Sequence, residues 1–255
     1  MNLKTKSLKD YNIPENKDIE QIINSLFNLL FPNIRSTTDS FSQIGVSTPE
    51  NQMMHILSFL IETRVAVTRA FFKNLSKIKE KLLDDANFIL ESDPAATQLI
   101  EVIAIYPGFF GIFCYRIANF LAELNVPLFP RMITEHAHKV TGIDIHPNAR
   151  IGSPFSIDHG TGIVIGETTF IGDKVKLYQG VTLGALSVDK SKSRIKRHPT
   201  IEDNVILYSG CTILGGQTII GRNSVIGGNV WLTESIAPNS IVYHKSEVFI
   251  KKQDD

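Results

Sequence analysis

A chain of 255 residues holds one large domain or two modest ones. Its 26 basic and 26 acidic side chains cancel, which argues against a nucleic-acid or anionic-membrane partner, and 43% hydrophobic residues is ordinary for a globular protein. The opening MNLKTKSLKD lacks the apolar stretch of a secretory signal, and no apolar run is long enough to span a bilayer. Cys114 and Cys211 give no disulfide framework and read as buried thiols in a reducing cytoplasm.

The first 140 residues read as helices. Over 14–30, Ile19, Ile22, Ile23, Leu26, Leu29 and Leu30 recur at spacings of three and four, ahead of Pro32. Residues 33–46 are rich in Ser, Thr and Gln and read as a loop. Ser47-Thr48-Pro49-Glu50 supplies a hydroxyl cap, a proline for the first turn and an acid near the positive helix end. One long apolar helix through Phe72 is expected to follow, then another over 76–91. Asp93-Pro94 breaks the pattern and is expected to cap a helix running to Ile105. After Pro107-Gly108 come a strongly apolar helix over 109–124 and a last one over 130–140. The expectation is an α-helical domain over 1–140, with 1–75 as extra N-terminal helices.

From Ile143 the period changes. Aliphatic residues stand at Ile145, Ile151 and Ile157, then at Ile165, Ile171, Leu177 and Leu183. The same beat returns at Ile201, Leu207 and Ile213, and at Ile220, Ile226 and Leu232. A step of six fits neither a helix nor an alternating strand; it fits a triangular coil whose sides spend six residues each around a shared aliphatic core. A β-solenoid over 141–243 is expected, then a polar tail over 244–255. Residues 185–199, ALSVDKSKSRIKRHP, would put Asp189 in the core if the coils continued, so they read as a protruding loop. The basic run in it is either a solvated arm or an attraction for a polyanion such as the phosphates of a nucleotide cofactor.

Asp158-His159 follows Ile157 where the register slips by two, so the pair leaves the core. Asp144 lies fifteen residues earlier, on the neighbouring coil near one corner, which permits an Asp–His hydrogen bond. Such a pair makes a general base, the carboxylate fixing the imidazole tautomer. A plain surface histidine, a turn cap at Asp144 and a helix cap at Asp93 are the structural alternatives. His136 and His138 do not share a helix face, so no metal site is read there. His146 reads as structural, and Trp231 as packing at an edge or interface.

The strings DIHPNARIG (144–152), IDHGTGIVIGET (157–168), QGVTLG (179–184) and RHPTI (197–201), with ESDPAA (91–96) and YRIANFL (115–121), closely resemble serine O-acetyltransferase. The resemblance covers about residues 75–240. It implies an α+β fold, an N-terminal α-helical domain followed by a left-handed parallel β-helix. It implies transfer of acetyl from acetyl-CoA to the hydroxyl of L-serine, the first step of cysteine biosynthesis. It implies His159 as general base with Asp144 as its partner, and His198 near the reacting centre. It implies Asp93 and Asp158 on the serine amino group and Arg197 with His198 on its carboxylate. Glu167 matches an acid near the site, and Gly184, Ser209 and Gly210 match backbone beside the acetyl-CoA arm. A homotrimer, or a hexamer of two trimers, with sites between subunits is implied as well, and no metal.

The chain also departs from that pattern. Its end, IVYHKSEVFIKKQDD, lacks the family's G-V-P-A-[RK] segment and a terminal isoleucine, so a strong complex with O-acetylserine sulfhydrylase is not expected. The Lys/Ser-rich 185–199 stretch replaces a short glycine-rich loop, which leaves loop closure and cysteine feedback open. Two other readings stand beside the enzyme: the same fold acting on another small acceptor, and a non-catalytic hexapeptide scaffold. Asp93, Asp158 and Arg197 argue against a sugar acceptor, which has no charges for them to meet. His146, His159 and His198 do not match the metal-binding spacing of a γ-type carbonic anhydrase.

Overall fold

The computed structural model describes residues 13–32, 34, 48–186 and 195–245. The expected loop over 33–46 (Ile34 apart), the middle of 185–199 and the tail from 246 lie outside the described residues. Among the described residues seven helices, α1 to α7, come first: Asn16–Leu30, Pro49–Ser58, Arg64–Lys73, Leu75–Ser92, Leu99–Ile105, Pro107–Glu123 and Phe129–Thr141. In α1 the Glu15 and Asp18 side chains form a capping box, and Ile19, Ile22, Ile23, Leu26 and Leu30 are buried. Thr48 caps α2 by accepting from the Asn51 amide at 3.3 Å. Gly142, at φ 73°, ends α7 in the left-handed conformation that a Cβ disfavours.

Two helix expectations are corrected. The single helix through Phe72 divides into α2 and α3. The amides of Phe59 and Leu60 bond three residues back, to Ile56 and Leu57, so the last turn tightens and the chain bends. Each half then buries its own stripe, Met53, Ile56 and Leu57 against Val67 and Phe71. Nor does Asp93 cap α5, whose N-cap is Gln98. The Asp93 carboxylate instead accepts from the Ala95 amide at 2.8 Å, closing a local turn two residues long.

The solenoid takes over at Asp144. Its strands β1 to β7 are Asp144–Ile145, Arg150–Ile151, Phe155–Ile157, Val164–Ile165, Phe170–Ile171, Val175–Leu177 and Thr182–Gly184. Strands β8 to β14 are Thr200–Ile201, Ile206–Leu207, Thr212–Leu214, Ile219–Ile220, Val225–Ile226, Trp231–Leu232 and Ile241–Val242. All pairs are parallel. The first face stacks β1-β4-β7-β10-β13, the second β2-β5-β8-β11 and the third β3-β6-β9-β12-β14. Register puts like on like: Ile145, Ile165, Leu183, Ile213 and Leu232 form one column, Ile151, Ile171, Ile201 and Ile220 a second. Ile157, Leu177, Leu207, Ile226 and Val242 form the third. The six-residue beat is therefore the sequence image of three aliphatic columns. Between β7 and β8 the chain turns one corner only, from the first face to the second, although eighteen residues separate Leu183 from Ile201.

One continuous core joins the two parts. Helix α6 is buried on every side and lies on the first coils. A Cβ at Gly108 would strike the Ile157 carbonyl, so glycine allows helix backbone to touch strand backbone there. Asp85 and Arg116 form a buried ion pair at 2.9 Å across the seam. Among the described residues no single helix is long and apolar enough to cross a membrane.

Candidate active site

Two polar clusters stand on two edges of the prism. The first occupies the corner between the third and first faces, beneath the turn after α4. Residues 158–163 carry the two-residue slip there, and His159 adopts φ 59°. That conformation turns its side chain out, and the imidazole is 71% exposed. Asp158 points one oxygen at the imidazole, with Oδ1 3.7 Å from Nδ1, and the other at Lys176, with Oδ2 3.5 Å from Nζ. Asp93 enters from the helical side. Its Oδ2 accepts from the Tyr106 hydroxyl at 2.8 Å. The Ala95 amide, then Tyr106 and the charges of Lys176 and His159, hold the Asp93 carboxyl below its ordinary value. The same bond to Asp93 pushes the Tyr106 hydroxyl up to about 12, so it stays a donor.

Asp144 does not join this cluster as the spacing suggested. Among the described residues it shares no hydrogen bond with His159; it accepts from Arg131 Nη1 of α7 at 3.2 Å. The left-handed turn at His159 sends the ring toward Asp158, and α7 delivers a competing guanidinium to Asp144. Asp144, Glu135 and His138 bring ligand-type atoms within 4.8 Å of one another. Arg131, paired with both Glu135 and Asp144, already supplies the positive charge in that group.

The second cluster occupies the corner between the first and second faces. Arg197 Nη2 donates to Glu167 Oε2 at 2.5 Å, and Asn148 Nδ2 to Glu167 Oε1 at 3.2 Å. Burial alone would raise the Glu167 carboxyl, but the Arg197 bond, backed by Asn148, takes it below its ordinary value. Thr168 is the hub that composition and spacing did not announce. Its hydroxyl accepts from the amides of Arg197 at 2.9 Å and His198 at 3.1 Å, pinning both. Its own amide donates to His198 Nδ1 at 3.1 Å. Nδ1 is therefore unprotonated, and the proton of the neutral ring sits on Nε2. Burial, with Arg197 adjacent, pushes the His198 imidazole down to about 4. A Cβ at Gly166 would collide with this ring, so glycine is what admits it.

Below His159, on the same corner, the backbone is bare. Gly162, Gly180 and Gly210 stack with φ between 71° and 81°, and a Cβ at Gly180 would lie 3.3 Å from the Gly210 Cα. These three glycines form a track along the corner that carries His159, and Ser209 directly precedes the last of them. Gly184 closes β7 toward the other corner, where an added Cβ would meet Leu214 at 2.8 Å. Within one chain the structure brings Asp93, Asp158 and His159 together, and separately Glu167, Arg197 and His198. A side of six residues spans about 20 Å at the usual rise per strand residue, too far for one small molecule to touch both corners of one chain.

No protein-family model matches the chain. Over 181 residues it is 50% identical to a serine acetyltransferase of Synechococcus elongatus, covering 69% of this chain and 56% of the relative. Over 127 residues it is 45% identical to the serine acetyltransferase of Helicobacter pylori, covering 50% of this chain and 72% of the relative. The chain spans 56%, 61% and 63% of the length of three curated relatives, less than two thirds of each. Its fold matches that of serine acetyltransferase isoform 3 from Entamoeba histolytica, solved in complex with cysteine. That match has a TM-score of 0.76 and 32% identity, and covers 98% of this chain and 90% of the other. Helices followed by a left-handed parallel β-helix are common to both. The chain belongs to the serine acetyltransferase family.

Proposed function

We propose that the chain transfers the acetyl group of acetyl-CoA to the hydroxyl of L-serine, giving O-acetylserine and CoA. The observation that carries this reading is the corner where two carboxylates, Asp93 and Asp158, flank an exposed imidazole, His159. Serine is a zwitterion. Its ammonium is matched by Asp93 and Asp158, and its carboxylate by Arg197 and His198. The Entamoeba enzyme's complex with cysteine supports an amino-acid pocket, since cysteine carries the same ammonium and carboxylate.

His159 Nε2 takes the proton of the serine hydroxyl as its oxygen attacks the thioester carbonyl carbon. The tetrahedral oxyanion collapses, the C–S bond breaks, and the CoA sulfur leaves with the proton that His159 returns. Asp158, whose Oδ1 lies 3.7 Å from His159 Nδ1, is the carboxylate that faces the imidazole and favours the imidazolium. No acyl-enzyme is required. Cys114 and Cys211 are buried, and burial pushes the Cys211 thiol up to about 12, away from thiolate chemistry. The glycine track through Ser209 and Gly210 accommodates the pantetheine arm, and Gly184 its far wall.

Because the two charged clusters lie on different edges, one subunit supplies the base and ammonium acids while its neighbour supplies Arg197, His198 and Glu167. We therefore propose a trimer at least, with the helices before residue 75 offering the surface for a hexamer. The test follows thiol release from acetyl-CoA with L-serine in wild type and His159→Ala. Turnover is expected to fall about 10²- to 10⁴-fold in the variant through loss of the base; unchanged turnover removes His159 from the mechanism.

A further inference from the structure

Lys176 sits on the outer side of β6, between the core residues Val175 and Leu177, where a lysine ordinarily reaches water. Here it is only 7% exposed, because α4 packs over β3 and covers this part of the third face. An unpartnered buried ammonium is costly, and three groups answer it. Nζ donates to the carbonyl of Ser92, the last residue of α4, at 2.9 Å. That carbonyl belongs to the negative end of a helix and has no partner within it. Asp158 Oδ2 lies at 3.5 Å, and the Tyr178 ring centre at 4.7 Å.

These contacts tie together the two acids that arrive from different parts of the chain. Asp93 directly follows Ser92, and its own oxygens are occupied by Ala95 and Tyr106. Asp158 follows β3, and Lys176 takes its Oδ2, leaving Oδ1 on the His159 side. One ammonium thus bridges the end of α4 and the solenoid corner. With two carboxylates and one lysine, the cluster keeps a single net negative charge.

We propose that Lys176 is the positioning residue of the amino-group pocket. By holding the Ser92 carbonyl and the Asp158 carboxylate together, it sets the gap between Asp93 and Asp158 and leaves the charge that complements one ammonium. The inference rests on the acetyl-transfer reading and adds a residue to it. Lys176 does not touch the reacting atoms; it acts through Asp158.

The test is steady-state kinetics of thiol release for wild type, Lys176→Gln, Lys176→Met and Lys176→Arg, varying L-serine and acetyl-CoA separately. Both neutral variants are expected to raise the KM for serine about tenfold, the scale of one charge-assisted contact. The KM for acetyl-CoA is expected to stay within about twofold, since the glycine track is untouched. Lys176→Arg, which keeps charge and donors, is expected to restore most of the serine KM. A serine KM unchanged in the neutral variants overturns the proposal, as does a parallel rise in both KM values. If neither neutral variant folds, Lys176 is a structural clamp and the positioning role falls. Absence of turnover in wild type is a different result: it removes the acetyl-transfer reading itself.

Discussion

Two arginine–carboxylate pairs in this molecule share chemistry and differ in surroundings. Arg116 and Asp85 lie at the seam between helices and solenoid, with side chains 5% and 0% exposed. Arg116 also donates to the carbonyls of Ile151 and Gly152, at 2.7 and 2.6 Å, and Asp85 accepts from the Phe155 amide at 2.8 Å. Every strong bond there ends on protein. Arg197 and Glu167, at 28% and 32% exposure, sit on an open corner facing solvent. The difference is burial, and burial sorts the pairs by role. A dry pair is a joint whose removal costs folding; a wet pair is poorly placed to stabilise and well placed to exchange partners with a ligand. Burial alone would raise Asp85, and Arg116 opposes it; at Glu167 the arginine prevails and the carboxyl is lowered.

The sharpest way to break this contrast is Asp85→Ala. It leaves the Arg116 guanidinium buried without its counter-ion, and a loss of about 3–5 kcal/mol in urea unfolding is expected. Replacing both partners, Asp85→Leu with Arg116→Met, should recover part of that loss, because no charge is stranded. Recovery stays incomplete, since the Ile151 and Gly152 carbonyls and the Phe155 amide lose their partners. If Asp85→Ala unfolds as wild type does, the seam is not held by this pair.

Glu167→Ala makes the opposite test on the exposed corner. Its unfolding free energy should change by no more than about 1 kcal/mol. Serine handling should change more, because Arg197 loses the carboxylate that orients its fork; a rise of about tenfold in the serine KM is expected from steady-state thiol release. A large stability loss with unchanged kinetics would invert the contrast between the pairs.

The same contrast explains what the sequence did and did not disclose. A six-residue beat is visible because each step fills a core column, and the column is a local rule repeated thirteen times from Ile145 to Leu232. The division of α2 from α3 is invisible to periodicity, since Met53, Ile56, Val67 and Phe71 extend one plausible stripe. At the site, motif resemblance nominated Asp93, Asp158, His159, Arg197 and His198. It did not nominate Lys176, Tyr106 or Thr168, whose roles come from tertiary cover and hydrogen bonds. A lysine between two core residues of a strand reads as solvent-facing until a helix is laid over it. The Asp144–His159 contact failed for a related reason: coil spacing places residues near a corner, but the backbone conformation at His159 decides where the ring goes.

The gentlest test concerns His198, the buried member of the Arg197–Glu167 corner. His198 accepts from the Thr168 amide and is pushed down to about 4, from an ordinary 6.5. Above pH 6.5 the ring is neutral whether the chain is folded or not, and its contribution to stability is fully present. Between pH 6.5 and about 4 the unfolded chain binds a proton that the folded corner refuses, so stability is lost as the pH falls. His198→Gln removes that proton site. Over the same range its unfolding free energy should fall less steeply than that of wild type, while the loss from His146, also lowered by burial, persists in both. Equal slopes would mean that the His198 ring opens to water and accepts its proton in the folded state, and the corner would then be looser than the Thr168 bonds require.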